Sequence, residues 1–173
     1  DCLALAEHVL GFYHLDVAGH GIPAAMLSFT LARMLSPEVG SINNLLYETT
    51  ADGKQVSNSR PSRVVAKLNE RFQDAVGEAR FFTLIYGYID TRDNRGWLCQ
   101  AGHPHPLLCD ASRKISVLGH GGLPVGVFAD AEYQDTDFYM EPGSSLILHS
   151  DGAPECMNRG LEPFGSERLF KTI

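Results

Sequence analysis

The sequence predicts an α+β domain rather than a doubly wound parallel one. Two helical stretches lie among strand-rich parts without alternating with strands one for one. The apolar runs of the C-terminal half are short, each closed by Gly, Pro, Asp or Asn. Turn signals such as Asp93-Asn94 and Pro142-Gly143 keep the connections short, which implies antiparallel neighbours. Two mainly antiparallel sheets with helices outside would bury all these faces. A length of 173 residues, 44% of them apolar, suits a single domain over residues 1–173 with a real core.

The first apolar run, Val9 to Val17, reads as a strand stopped by Gly19 and Gly21. Pro23 opens a helix where its missing N–H costs nothing, and the helix ends near Leu35. Ile22, Ala25, Met26, Phe29 and Ala32 share one face by helical spacing and are expected in the core. Residues 37–61, rich in Ser, Asn, Gly and Thr, read as a mobile insertion. A second helix runs from Ser62, as N-cap, to Gln73, with Val64, Val65, Leu68 and Phe72 buried. Strands follow at 82–89, 97–101, 106–109, 115–118, 136–140 and 146–150, and residues 161–173 begin a further helix.

The formal net charge of −7 disfavours nucleic acid as a partner and would draw divalent cations into a cleft of the same sign. Cys2, Cys99, Cys109 and Cys156 show no CxxC spacing, so each reads as a small apolar filler in a reducing compartment. No stretch reaches the ~18 apolar residues needed to span a bilayer, so no membrane role is expected. The chain starts at Asp1 without a leader, and both ends look cut from a longer cytoplasmic protein.

Asp16 ends a hydrophobic strand just before two glycines, and Asp151 ends another just before Gly152. A carboxylate at such a place needs a partner, and hard cations such as Mg²⁺ or Mn²⁺ take its oxygens. Helix capping by Asp16 and a plain Asp-Gly turn at Asp151 are the competing readings. If the two sites share a pair of ions, water can be activated for in-line attack on phosphorus. His103 and His105 have HxH spacing and leave a zinc site open, although zinc needs three or four ligands. Residues 119–126 (GHGGLPVG) could cradle phosphate, or could simply be a tight loop between strands, since there is no GK[ST] ending.

Taken in order, six segments resemble a known family. Residues 16–25 (DVAGHGIPAA) are similar to the DVSGHGxPAA segment of SpoIIE/RsbU-type phosphatases, the bacterial branch of the PPM (type-2C) family. Residues 82–87 (FTLIYG) resemble its FxTLxYG strand, and residues 101–104 (AGHP) its NAGHxPP turn, with Gln100 in place of Asn. Residues 122–126 (GLPVG), 150–155 (SDGAPE) and 164–169 (FGSERL) resemble GxPLG, [ST]DGVTE and FGxERL. The resemblance implies a four-layer α-β-β-α sandwich and hydrolysis of phosphoserine or phosphothreonine with two Mn²⁺ or Mg²⁺ ions. Carried over by position, Asp16 and Asp151 would be the catalytic metal ligands. The Val17 carbonyl would join them, and Asp1 would stand for the family's upstream aspartate. The family closes with an aspartate-rich DDxT strand, and this chain stops at Ile173 before any such segment. A phosphorylated anti-sigma-factor antagonist is the implied substrate, in a bacterial two-component or stress-response pathway. A receiver or sensor domain upstream in the same chain is also implied, and a homodimer is left open. The alternative is an interaction domain that keeps the fold and lacks catalysis.

Overall fold

The structure is a computed structural model that describes residues 1–37, 45–49, 55–57, 60–73 and 81–173. Strands β1 (Cys2–Ala6) and β2 (Val9–Val17) form a hairpin, followed by helix α1 (Ile22–Met34). A small hairpin, β3 (Tyr47–Thr49) and β4 (Gln55–Ser57), precedes helix α2 (Pro61–Gln73). Then come β5 (Phe82–Asp90), β6 (Arg95–Ala101), β7 (Leu107–Cys109), β8 (Ile115–Val117), β9 (Asp135–Tyr139) and β10 (Ser145–Ile147). Helices α3 (Gly152–Glu155) and α4 (Ser166–Thr172) end the chain. The strands form a five-stranded sheet in the order β1-β2-β5-β6-β9 and a three-stranded sheet in the order β10-β7-β8, both antiparallel throughout. The expected α+β architecture of two antiparallel sheets with helices is therefore present.

Alternation along β5 sorts the large sheet into two faces. Phe82, Leu84 and Tyr86 pack with Leu27 and Leu31 of α1 and Val64, Val65 and Leu68 of α2. Ile85 points the other way, joining Phe12, Leu98 and Phe138 against Leu118, Leu146 and Leu148 of the second sheet region. Full burial of each such side chain contributes about 1.5–3 kcal/mol, which is what holds the layers in register.

Several local expectations are corrected. Strand β1 went unrecognised in the sequence, and the final helix is shorter than expected. In α1 the buried residues are Leu27, Leu31 and Met34, whereas Ile22, Met26 and Phe29 are 77%, 66% and 65% exposed. The helix is apolar on more than one side, so periodicity alone could not choose the core face. Helix α2 starts at Pro61, and Ser62 lies inside its first turn. There Asp135 of β9 caps it from outside, accepting the Ser62 N–H at 2.7 Å and the hydroxyl at 2.9 Å. The insertion read at 37–61 falls largely outside the described residues. Its described part holds the β3–β4 hairpin, with Leu45 and Leu46 buried. All four cysteines are free thiols, and Cys99 is buried. Among the described residues no helix is long and apolar enough to cross a membrane.

Candidate functional site

Strand β2 carries His14 and Asp16 on the face turned toward the second sheet, because Phe12 on that same alternation packs there. Asp16 lies directly opposite Thr83 of β5, and Val17 opposite Phe82. Asp151 follows β10 and stands at the start of α3. These segments meet at one cleft of about 630 Å³, lined among others by Asp16, Val17, Thr83, His103 and Asp151. Two carboxylates far apart in sequence thus share one opening.

Capping explains neither carboxylate, whereas Asp151 does sit in a turn, as the plain Asp-Gly reading has it. The N-cap position of α1 belongs to Gly21, and Asp16 lies within β2. Asp151 occupies the N-cap position of α3 but makes no side-chain cap hydrogen bond. Among the described residues, neither carboxylate has a hydrogen-bonding or ion-paired side chain. Both residues are exposed to the cleft rather than buried. Water or a cation can reach these oxygens directly.

Asp1 is not brought to this cleft. Its carboxylate accepts the Tyr13 hydroxyl at 2.8 Å, and its backbone nitrogen donates to the Tyr13 carbonyl at 2.8 Å. Tyr13 belongs to the helix-covered face of β2, opposite to Asp16. His103 and His105 do not converge either. His105 is exposed, with Nδ1 2.9 Å from the Leu118 carbonyl oxygen. His103 is 3% exposed, with Nδ1 2.7 Å from Thr83 Oγ1 and Nε2 2.8 Å from His14 Nδ1. Burial, and then the neighbouring His14, pushes His103 down to about 4, so it is neutral at physiological pH. Burial likewise lowers His14, partly offset by Asp16.

Three N–H groups of the glycine-rich loop are spent on the protein. Gly121 donates to Gln100 Oε1 at 2.8 Å, Val125 to the Phe82 carbonyl at 2.9 Å, and Gly126 to Asn69 Oδ1 at 2.8 Å. Gly122 has φ of 109°, and a Cβ there would lie 2.6 Å from the Gln100 carbonyl oxygen. At these positions the loop is a packed connection. Gln100 also donates to the His103 carbonyl at 2.5 Å, so it braces the turn that holds His103.

The donor set is two open carboxylates with the Val17 backbone beside them, which fits a hard cation that keeps several waters. Among the described residues no three His, Cys, Asp or Glu side chains cluster tightly enough for a closed metal site. Sequence reasoning missed His14 and Thr83. The alternation of FYHLD, which places His14 on the same face as Asp16, was the available signal.

Comparison with known proteins agrees with this architecture. The family model described as Stage II sporulation protein E (SpoIIE) matches residues 6–173. The chain is 27% identical over 171 residues to phosphoserine phosphatase RsbP of Bacillus subtilis, covering 96% of this chain and 37% of that protein. It is 27% identical over 144 residues to phosphoserine phosphatase RsbU of the same organism, covering 82% and 38%. The chain therefore spans under two-fifths of the length of these relatives. Among solved structures, the SiaA-PP2C domain of Pseudomonas aeruginosa superposes with a TM-score of 0.72 at 15% identity, covering 96% of this chain and 61% of that one. The chain belongs to the SpoIIE family and has the PP2C (PPM) phosphatase fold.

Proposed function

We propose that this domain is a metal-dependent phosphatase of phosphoserine or phosphothreonine on a protein partner. The observation that carries the reading is the meeting of Asp16 and Asp151 in one open cleft. Asp16, Asp151 and the Val17 carbonyl would hold Mn²⁺ or Mg²⁺, with two ions as the working number. Divalent ions at such a site neutralise phosphate charge and lower the pKa of water, so that no covalent nucleophile is required. The chain's own residues do the rest. Asp16 and Asp151 present unpartnered oxygens, and Thr83 and His103 line the inner wall between them. The neutral state of His103 keeps positive charge out of that wall.

The finer reading is that the partner is a phosphorylated anti-sigma-factor antagonist. The domain would follow a receiver or sensor domain in the same cytoplasmic chain and serve a bacterial two-component or stress-response pathway. The family, with RsbP and RsbU among the relatives, supports it. The test is Mn²⁺-dependent hydrolysis of p-nitrophenyl phosphate by the wild type and Asp16→Asn. The variant is expected to stay folded and lose turnover by about 100-fold or more, as for removal of a group acting directly at the reacting centre. Wild-type turnover in a folded Asp16→Asn protein contradicts the mechanism. A second reading, a phosphatase fold that only binds partners, draws on the lack of a third clustered ligand among the described residues. Failure of the wild type with every divalent ion would select it.

A further inference from the structure

We infer that His103 is a positioning residue that fixes the separation of the Asp16-bearing and Asp151-bearing segments, and so sets how tightly the cleft takes a divalent cation. The inference rests on the proposed role of Asp16 and Asp151 as metal ligands.

The two aspartates come from different sheets. Asp16 ends β2 of the large sheet, and Asp151 follows β10 of the small one. Side chains at the mouth of an open cleft cannot hold such segments at a fixed distance, since neither carboxylate is tied to a described side chain. Something behind them must do so. His103 sits at that place. Its ring reaches Thr83, the direct cross-strand partner of Asp16, and also His14, two residues before Asp16 on the same face. The His14 and His103 rings lie against each other tilted by 56°, with centroids 4.8 Å apart. On its other side the chain from His103 runs directly into β7, whose Leu107 pairs with Ile147 of β10, the strand before Asp151, and His103 and Asp151 line the same cleft. One buried ring therefore touches the carrier of the first ligand, and its own segment is paired with the carrier of the second.

Hydrogen-bond accounting makes the arrangement rigid. A neutral imidazole has one donor and one acceptor nitrogen. Both are engaged, so the chain Thr83–His103–His14 must run in one direction, with each group donating to the next. The ring cannot rotate without breaking two contacts in a buried place. Its own backbone is held by Gln100, which donates to the His103 carbonyl and accepts from Gly121. None of these groups need touch the cation. Partners that orient ligands from behind commonly change metal affinity by about 10–100-fold when removed.

The experiment measures Mn²⁺ binding to the metal-free protein by titration calorimetry, with melting in EDTA as the control for folding. His103→Asn keeps an amide group within reach of Thr83 and gives up His14, and His103→Ala gives up both. Mn²⁺ affinity is expected to fall about tenfold for His103→Asn and further for His103→Ala. Turnover of p-nitrophenyl phosphate by His103→Asn should recover toward wild type at saturating Mn²⁺, because the loss lies in the metal requirement. A general structural weakening would lower melting in EDTA without shifting the Mn²⁺ requirement. If His103→Ala does not fold, Thr83→Val, which keeps the shape and removes one partner, decides in its place. A folded His103→Asn or Thr83→Val protein with Mn²⁺ affinity within twofold of wild type overturns the inference. Asp16→Asn separates the two levels. If it retains wild-type Mn²⁺ binding, the ligand assignment itself falls. If it loses binding while the His103 variants keep theirs, only the positioning role falls.

Discussion

Replacing Asn69 by alanine should destabilise the domain by about 2–4 kcal/mol, although the residue touches no cleft atom. Asn69 lies on α2 and is 2% exposed. Its Nδ2 donates to the Phe128 carbonyl at 2.8 Å, and its Oδ1 accepts the Gly126 N–H at 2.8 Å. Gln73 adds a weaker contact at 3.4 Å. Alanine removes both strong partners and leaves one backbone donor and one backbone acceptor facing the place where the side chain was. Each buried group left without a partner costs about 1–3 kcal/mol, and some relief comes from water entering the space. For a domain of this size each kcal/mol lowers the melting temperature by about 2–4 °C, so a fall of roughly 5–15 °C is expected. Calorimetry or urea unfolding measures it. Asn69→Asp is the sharper companion. It keeps the acceptor for Gly126, but it sets a carboxylate oxygen against the Phe128 carbonyl and buries a charge. It should be no better than alanine. An alanine variant that melts within about 2 °C of wild type would refute the claim that this side chain latches the 119–131 loop to the helix.

Leu161→Gly is expected to stabilise the domain by about 0.5–1 kcal/mol, because Leu161 is 80% exposed with φ of 61°, where an L-residue carries roughly 1–2 kcal/mol of strain. Glycine returns part of that gain as lost chain entropy, about 0.5–1 kcal/mol. Asn158 Oδ1 fixes the turn by accepting the Gly160 and Glu162 N–H groups, so an unchanged or lower urea midpoint would show that the turn does not impose the strain. Thiol labelling should be graded: Cys2 and Cys156 are exposed and react quickly, whereas Cys99 is buried and pushed up to about 12, so it should react only on unfolding. The same burial makes stability depend on alkaline pH. Cys99 and Tyr133 are both raised to about 12, so the folded state holds protons that the unfolded chain releases. Their contribution is complete below about pH 8–9 and declines as pH rises toward 12, which unfolding curves at stepped pH will detect.

Much of the fold was legible because most strands were bounded by residues with a mechanical reason to end them. Strand β5 and the turn after it were placed by the run of apolar residues and by Asn94, which adopts φ of 58° as turn asparagines can. Helix α2 was legible because its apolar stripe is narrow and its other side is charged. Helix α1 was not, since Ile22, Met26 and Phe29 form a stripe as convincing as the buried one. The cap of α2 was missed for a different reason. Its acceptor, Asp135, arrives from β9, and no local pattern can announce a partner so distant in sequence. At the site, a strand-end carboxylate was a local signal and was found, whereas Thr83 and His103 matter through each other.

The cleft is where local and global rules part company, and that is informative in itself. Elsewhere in this protein a carboxylate next to backbone N–H groups is used by them. Asp110 accepts from Ser112 and Lys114, and Asp90 holds Arg92. Asp16 and Asp151 have no such use among the described residues, although Asp151 stands at a helix start where capping would add about 1 kcal/mol. The polar groups behind them are in use: Thr83, His103, His14 and Gln100 are each hydrogen-bonded to a named partner. Other exposed carboxylates, such as Asp137 and Glu141, are open as well, but Asp16 and Asp151 face a common cleft whose wall is hydrogen-bonded behind them. Chain flexibility does not produce that pattern, because it would free the wall as readily as the mouth. A site that must exchange waters, cation and phosphate at the mouth while holding its geometry from behind does produce it.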